Sequence, residues 1–124
     1  MLQQVMIVAI GGAIGAALRF ALGQWIDSAE FPWSTFIVNI SGSFLLGLLS
    51  IYAINSGLSN DLMLFFGTGM LGAFTTMSTF SVETLGLVKE GNQNLALIYA
   101  CITFILCLIG AFIGWELGQI MEKS

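Results

Sequence analysis

The 124-residue sequence contains no histidine, three lysines and arginines in all, one proline and two cysteines, and charged residues make up 8% of it. Without histidine no Ser-His-Asp triad or HExxH zinc site can be assembled, and Lys89 and Lys123 are the only lysines, so an intramembrane lysine base is missing too. The composition speaks against an enzyme. A net charge of −4 with so few cations excludes nucleic acid as a partner, since phosphates demand a basic patch. The scarcity of charge also excludes a water-exposed surface, which takes about 25% charged residues. Cys101 and Cys107 fall six residues apart in one apolar run, a spacing that suits neither a disulfide framework nor a metal motif and reads as small apolar filling. The opening MLQQVMIVAIGGAIG lacks the basic region of a cleavable signal, so its apolar run is expected to be retained.

What the chain has instead is apolar length. Hydrophobic residues make up 57%, and the mean hydropathy is +0.96. A bilayer span takes about 20 residues at ~1.5 Å rise each, which predicts an all-α integral membrane protein of one domain. Its four transmembrane helices are expected at about 5–26, 34–54, 62–88 and 95–120. The links are DSAEFPW, with the single proline, then NSGLSND and KEGNQN, rich in turn residues. Four spans place both termini on one side. Lys89 lies in one set of loops, Lys123 on the other side, and Arg19 inside the first span. Loop cations normally decide orientation, and this near-balance predicts insertion both ways round.

Glycine is frequent, at 15, and ordered. Gly11 and Gly15, then Gly110, Gly114 and Gly118, and the series Asn39, Ser43, Gly47 recur every four residues, the small-xxx-small pattern of closely packed membrane helices. Two uses stay open: packing within one subunit, and a subunit interface.

Polar groups inside lipid must be satisfied, and charged ones tend to be functional. Arg19 lies roughly 10 Å in from the end of the first span and Asn39 roughly 8 Å in from the start of the second, so both are measured from the same face. They are expected to share a vestibule, against snorkelling for Arg19 and a helix–helix hydrogen bond for Asn39. The third candidate is GAFTTMSTFSVE, residues 72–83, where Thr75, Thr76, Ser78, Thr79 and Ser81 crowd five hydroxyls together. Gly67, Gly69 and Gly72 precede them, and Gly, Ser and Thr all weaken a helical ladder. A helix broken mid-membrane follows as the expectation. Its freed carbonyls suit a hard cation such as sodium, its hydroxyls and the Asn39 amide a small anion. Back-bonding of the hydroxyls to their own helix is the plainer alternative.

The stretch resembles the third-helix motif of the Fluc (CrcB) fluoride channels, G-G-x-T-T-F-S-T-F-S-x-E. Three further landmarks agree: AIGGAIGAALRF, TFIVNISGSFLLG and KEGNQN. The resemblance covers essentially the whole chain. It implies an antiparallel dual-topology homodimer in the inner (plasma) membrane, with two pores that let cytoplasmic fluoride leave passively. It also implies a structural sodium ion held by the backbone carbonyls of Gly72 and Thr75 from each subunit. By position, Asn39 matches the pore asparagine, Arg19 the vestibule arginine, Phe80 the second pore phenylalanine, and Ser78 and Thr79 hydroxyls of a polar track. Met77 stands where the first pore phenylalanine is usual, and Cys107 and Ala111 are expected where members often carry Ser and Thr. Phe74 is an alternative source of the missing ring. These departures leave open a heterodimer with a paralogue that completes the pore, or a non-transporting subunit. A proton-coupled multidrug exporter, the remaining alternative, needs a membrane-embedded acid, and the first span has none.

Overall fold

The computed structural model describes residues 1–123, and among them every regular element is a helix. Helix α1 spans Leu2–Trp25 and α2 spans Trp33–Ser56. The short α3, Asn60–Met63, runs into a π-helical segment, Leu64–Leu71, and on into α4, Gly72–Phe74. Two residues later α5 covers Met77–Lys89, and α6 covers Gln93–Lys123. Four stretches are long and apolar enough to cross a bilayer: α1, α2, the run Asn60–Lys89, and α6. With so much apolar surface turned outward, at Phe20, Leu97, Phe104 and Phe112 among others, this is a multi-pass membrane protein. The helix ends lie within a turn of the span limits expected from the sequence, at Leu2–Trp25, Trp33–Ser56, Asn60–Lys89 and Gln93–Lys123.

In lipid there is no hydrophobic gain from bringing helices together, so close packing has to hold them. The glycine series supply it, and they do so inside one subunit. Helix α1 lies on the π segment and α4, where a Cβ at Gly11 would strike the Phe65 carbonyl and one at Gly15 the Met70 carbonyl. Helix α2 lies along α6, where a Cβ at Gly47 would strike the Ala111 carbonyl and one at Gly114 the Phe44 carbonyl. Of the two uses left open by the spacing, packing within one subunit takes up the glycines of all three series.

The π segment is a local feature the sequence pattern does not announce. A π-helix is normally a single widened turn, yet here it runs for eight residues and includes Gly67 and Gly69, both buried. At Gly69 an added Cβ would stand 2.7 Å from the Val8 carbonyl of α1, so the widened turn and the close helix crossing occupy the same place.

At one end an aromatic cluster ties the first link to the last two helices. Phe31 packs on Trp33, Phe36 and Tyr99 with centroids 4.6, 5.5 and 5.2 Å apart, and Tyr99 in turn meets Phe80 of α5 at 5.0 Å. Tyr99 is wholly buried, and its hydroxyl donates to Glu83 Oε1 at 3.1 Å. The turn from α5 to α6 is closed by Gly91 at φ 87°, with Asn92 N–H donating to the Leu87 carbonyl and Gly91 N–H to that of Val88. This is a Schellman ending, which needs a residue without a Cβ at that point.

Candidate functional site

The helical ladder of the third span stops after Phe74. Thr75 has φ −83° and ψ 156°, Thr76 has φ −152° and ψ 116°, and helical geometry resumes at Met77. An interruption of this kind strips amides and carbonyls of their partners, and in a bilayer each orphan costs several kcal/mol. The distribution of those groups defines the site.

Asn39 takes two of them. Its Oδ1 accepts from Thr76 N–H at 2.8 Å, and its Nδ2 donates to the Thr76 carbonyl at 3.1 Å, so one side-chain amide grips both sides of a single residue. The backbone N–H fixes which end of the amide is oxygen. Asn39 is 8% exposed, and one N–H of its Nδ2 remains uncommitted. Arg19 takes a third group: its Nε donates to the Ala73 carbonyl at 3.2 Å from the α1 side. Thr76 Oγ1 takes a fourth, accepting from Thr79 N–H at 3.1 Å as the N-cap of α5.

Four carbonyls lose their helical amides in this arrangement, those of Gly72, Ala73, Phe74 and Thr75, and Arg19 takes that of Ala73. In an unbroken helix the Gly72 carbonyl would receive the Thr76 N–H, which goes to Asn39, and the Thr75 carbonyl would receive the Thr79 N–H, which goes to Thr76 Oγ1. Gly72 is exposed and Thr75 half-buried on this chain.

The five hydroxyls divide. Thr75 Oγ1 and Ser81 Oγ donate back to the Leu71 and Met77 carbonyls, at 3.1 and 2.8 Å, as ordinary helix residues do. The other three form a cluster, with Thr76 Oγ1 as its hub, 3.2 Å from Ser78 Oγ and 3.1 Å from Thr79 Oγ1.

Beside the interruption lies a groove of about 250 Å³ between α2, α5 and α6. It brings together Asn39, Thr75, Met77, Phe80 and Cys107 from the sequence-based set, and adds Ser43, Thr76 and Thr103. Met77 is 69% exposed at its edge. Phe80 lines it while its ring is held from behind by Tyr99 at an interplanar angle of 59°. Thr103 is 5% exposed and its Oγ1, fully enclosed, has no hydrogen-bond partner. Arg19, Ser78, Thr79 and Ala111 do not line the groove. Ala111 sits one turn beyond Cys107, against Gly47, and Phe74 packs over Gly42, where a Cβ would lie 3.4 Å from its ring.

Thr76 and Thr103 carry weight that sequence pattern alone does not give them. The signal for Thr76 is a hydroxyl residue just before a new helical run. For Thr103 it is the spacing of four from Cys107, which puts both on one face of α6.

A model of the family described as CrcB-like protein, Camphor Resistance (CrcB), matches residues 6–115. The chain is 44% identical over 119 residues to a protein of Thermus thermophilus named fluoride-specific ion channel FluC, with 94% of each chain covered. A protein of Oceanobacillus iheyensis with the same name is 44% identical over 125 residues, covering 99% of this chain and 97% of that one. A Bacillus cereus protein named fluoride-specific ion channel FluC 2 is 39% identical over 122 residues, covering 96% of this chain and all of that one.

Proposed function

Because the chain belongs to the CrcB family, whose relatives bear the names of ion channels and not of enzymes, we propose that it is a fluoride-selective channel through which cytoplasmic fluoride leaves passively. The observation that carries the reading is a set of donors lacking an acceptor in one groove. The Thr103 hydroxyl has no partner, Asn39 keeps a spare N–H, and Phe80 presents a ring whose edge is the positive part of its quadrupole. A small, strongly accepting anion in the groove suits the Asn39 N–H and the Phe80 ring edge, and the enclosed Thr103 hydroxyl would join them only by turning toward the groove. No acidic side chain lines the groove, which disfavours a proton-coupled cation exporter. A passive path is sufficient for the task, since hydrogen fluoride enters uncharged at low external pH and dissociates inside.

The structural sodium ion fits the Gly72 and Thr75 carbonyls, which are hard oxygen ligands deprived of their helical amides. Bound there, it would neutralise the dipoles of those carbonyls. One chain offers two such carbonyls and a hard cation takes more, so a second, antiparallel copy completes the set. The near-balance of Arg19, Lys89 and Lys123 supports that arrangement. Insertion into the inner membrane follows from the same reading.

Proteoliposomes of this chain alone are expected to release fluoride and retain chloride, with Phe80→Ile lowering the flux at least about tenfold, or ~1.4 kcal/mol at the barrier. Fluoride-tight vesicles containing well-folded protein would instead favour the heterodimer, which the exposed Met77 motivates.

The groove also exposes a native thiol to the proposed path. Silver ion, soft and small, is expected to slow fluoride efflux by binding the Cys107 sulfur, with Met77 as a second soft ligand in reach of the same groove. The fractional block should persist in Cys101→Ser and vanish in Cys107→Ser. A block that follows Cys101 would place the path elsewhere.

A further inference from the structure

We propose that Arg19 and Asn39 are positioning residues of the cation site: Asn39 aims the Thr75 carbonyl and Arg19 withdraws the competing Ala73 carbonyl. The inference rests on the sodium reading above and assigns to it two side chains that the family resemblance places on the anion path.

The argument starts from the planarity of the peptide. Thr75 C=O and Thr76 N–H belong to one trans peptide unit, so they point in opposite directions. Asn39 Oδ1 holds that N–H at 2.8 Å, and the Thr75 carbonyl is therefore directed away from Asn39. The second bond, Nδ2 to the Thr76 carbonyl at 3.1 Å, holds the next peptide plane as well. An extended two-residue link would otherwise turn freely about four backbone angles. With both planes gripped from α2, the Thr75 carbonyl has a fixed direction without any metal contact from Asn39 itself.

Arg19 acts on the other side of the break. The last turn before the interruption frees the carbonyls of Gly72, Ala73 and Phe74. The Arg19 Nε–H occupies that of Ala73 at 3.2 Å and leaves that of Gly72. The removal of Ala73 from that set is thus made by α1. The guanidinium brings a full positive charge close to a proposed cation site, which by Coulomb's law alone opposes binding. That sign makes the role testable.

The experiment is thermal unfolding of the full-length protein in detergent at fixed ionic strength, with sodium replaced stepwise by N-methylglucamine, and the readout is the sodium concentration that gives half of the stabilisation. Arg19→Met is expected to raise this midpoint about tenfold or more, as loss of an orienting outer-shell group does, and Arg19→Lys, which keeps a donor and the charge, to restore part of it. Asn39→Asp keeps an acceptor for the Thr76 N–H and is expected not to raise the midpoint, whereas Asn39→Leu should raise it or abolish the sodium effect. A midpoint that falls in Arg19→Met would show that charge alone is at work. An unchanged midpoint with uniformly lower melting would show a purely structural role. Either result overturns the proposal. A wild-type protein whose melting ignores sodium would overturn the sodium reading itself.

Discussion

Asn39→Ala is expected to cost roughly 2–6 kcal/mol of stability, because it bares the N–H and the carbonyl of Thr76 together and each unsatisfied buried group costs about 1–3 kcal/mol. Set against a total of about 5–15 kcal/mol for a typical fold, that is enough to leave much of the protein misassembled. The expected result is a melting temperature in detergent lower by ten degrees or more than that of wild type, on the order of magnitude set by such a loss, together with loss of fluoride flux. Asn39→Asp should melt between the two, since it retains one of the two bonds. An alanine variant that melts with wild type would mean that Thr76 has other partners and that Asn39 does not hold the break.

Gly114→Leu is expected to abolish the folded protein altogether. A Cβ at Gly114 would fall on the Phe44 carbonyl of α2, and backbone cannot move aside as a flexible side chain can. The leucine adds three further carbons to that overlap. Overpacking in a tolerant core costs about 1–3 kcal/mol, but here the strain lies on the crossing through which α2 and α6 hold each other along their length. The control is Gly86→Leu on α5, where nothing stands within 4 Å of an added Cβ. Size-exclusion profiles should show aggregate for Gly114→Leu and a wild-type peak for Gly86→Leu. Matching peaks for the two would mean that α2 and α6 do not need their close contact to fold.

These two positions also show what can be read from a sequence of this kind. The four-residue spacing of Gly110, Gly114 and Gly118 marks a close crossing, yet spacing is blind to the partner, and only the fold assigns that crossing to α2. Asn39 stands out because an amide in an apolar run needs a partner. Nothing in its own neighbourhood points to Thr76, which lies 37 residues on. The excess of hydroxyls after Gly72 is visible, but which of them bond back to their own helix depends on rotamers that composition does not fix. Thr103 does not stand out, because one threonine in a long apolar helix is usually satisfied by the carbonyl four residues back. Here it is not. The π segment is not announced by periodicity: Gly67 and Gly69 mark a weak ladder, but the crossing with α1 that coincides with the widened turn is seen only in the fold.

The pairing of α2 with α6 has a consequence for biogenesis. Chains are made from the N-terminus at about 5–20 residues per second, so α2 enters the bilayer seconds before either of the helices that complete it. During that wait Asn39 has no Thr76 to hold and the Gly47 face has no Ala111 to meet. The newborn second span is therefore a segment whose polar and close-packed company is made after it. The α2–α6 packing can form only once the last helix has been made.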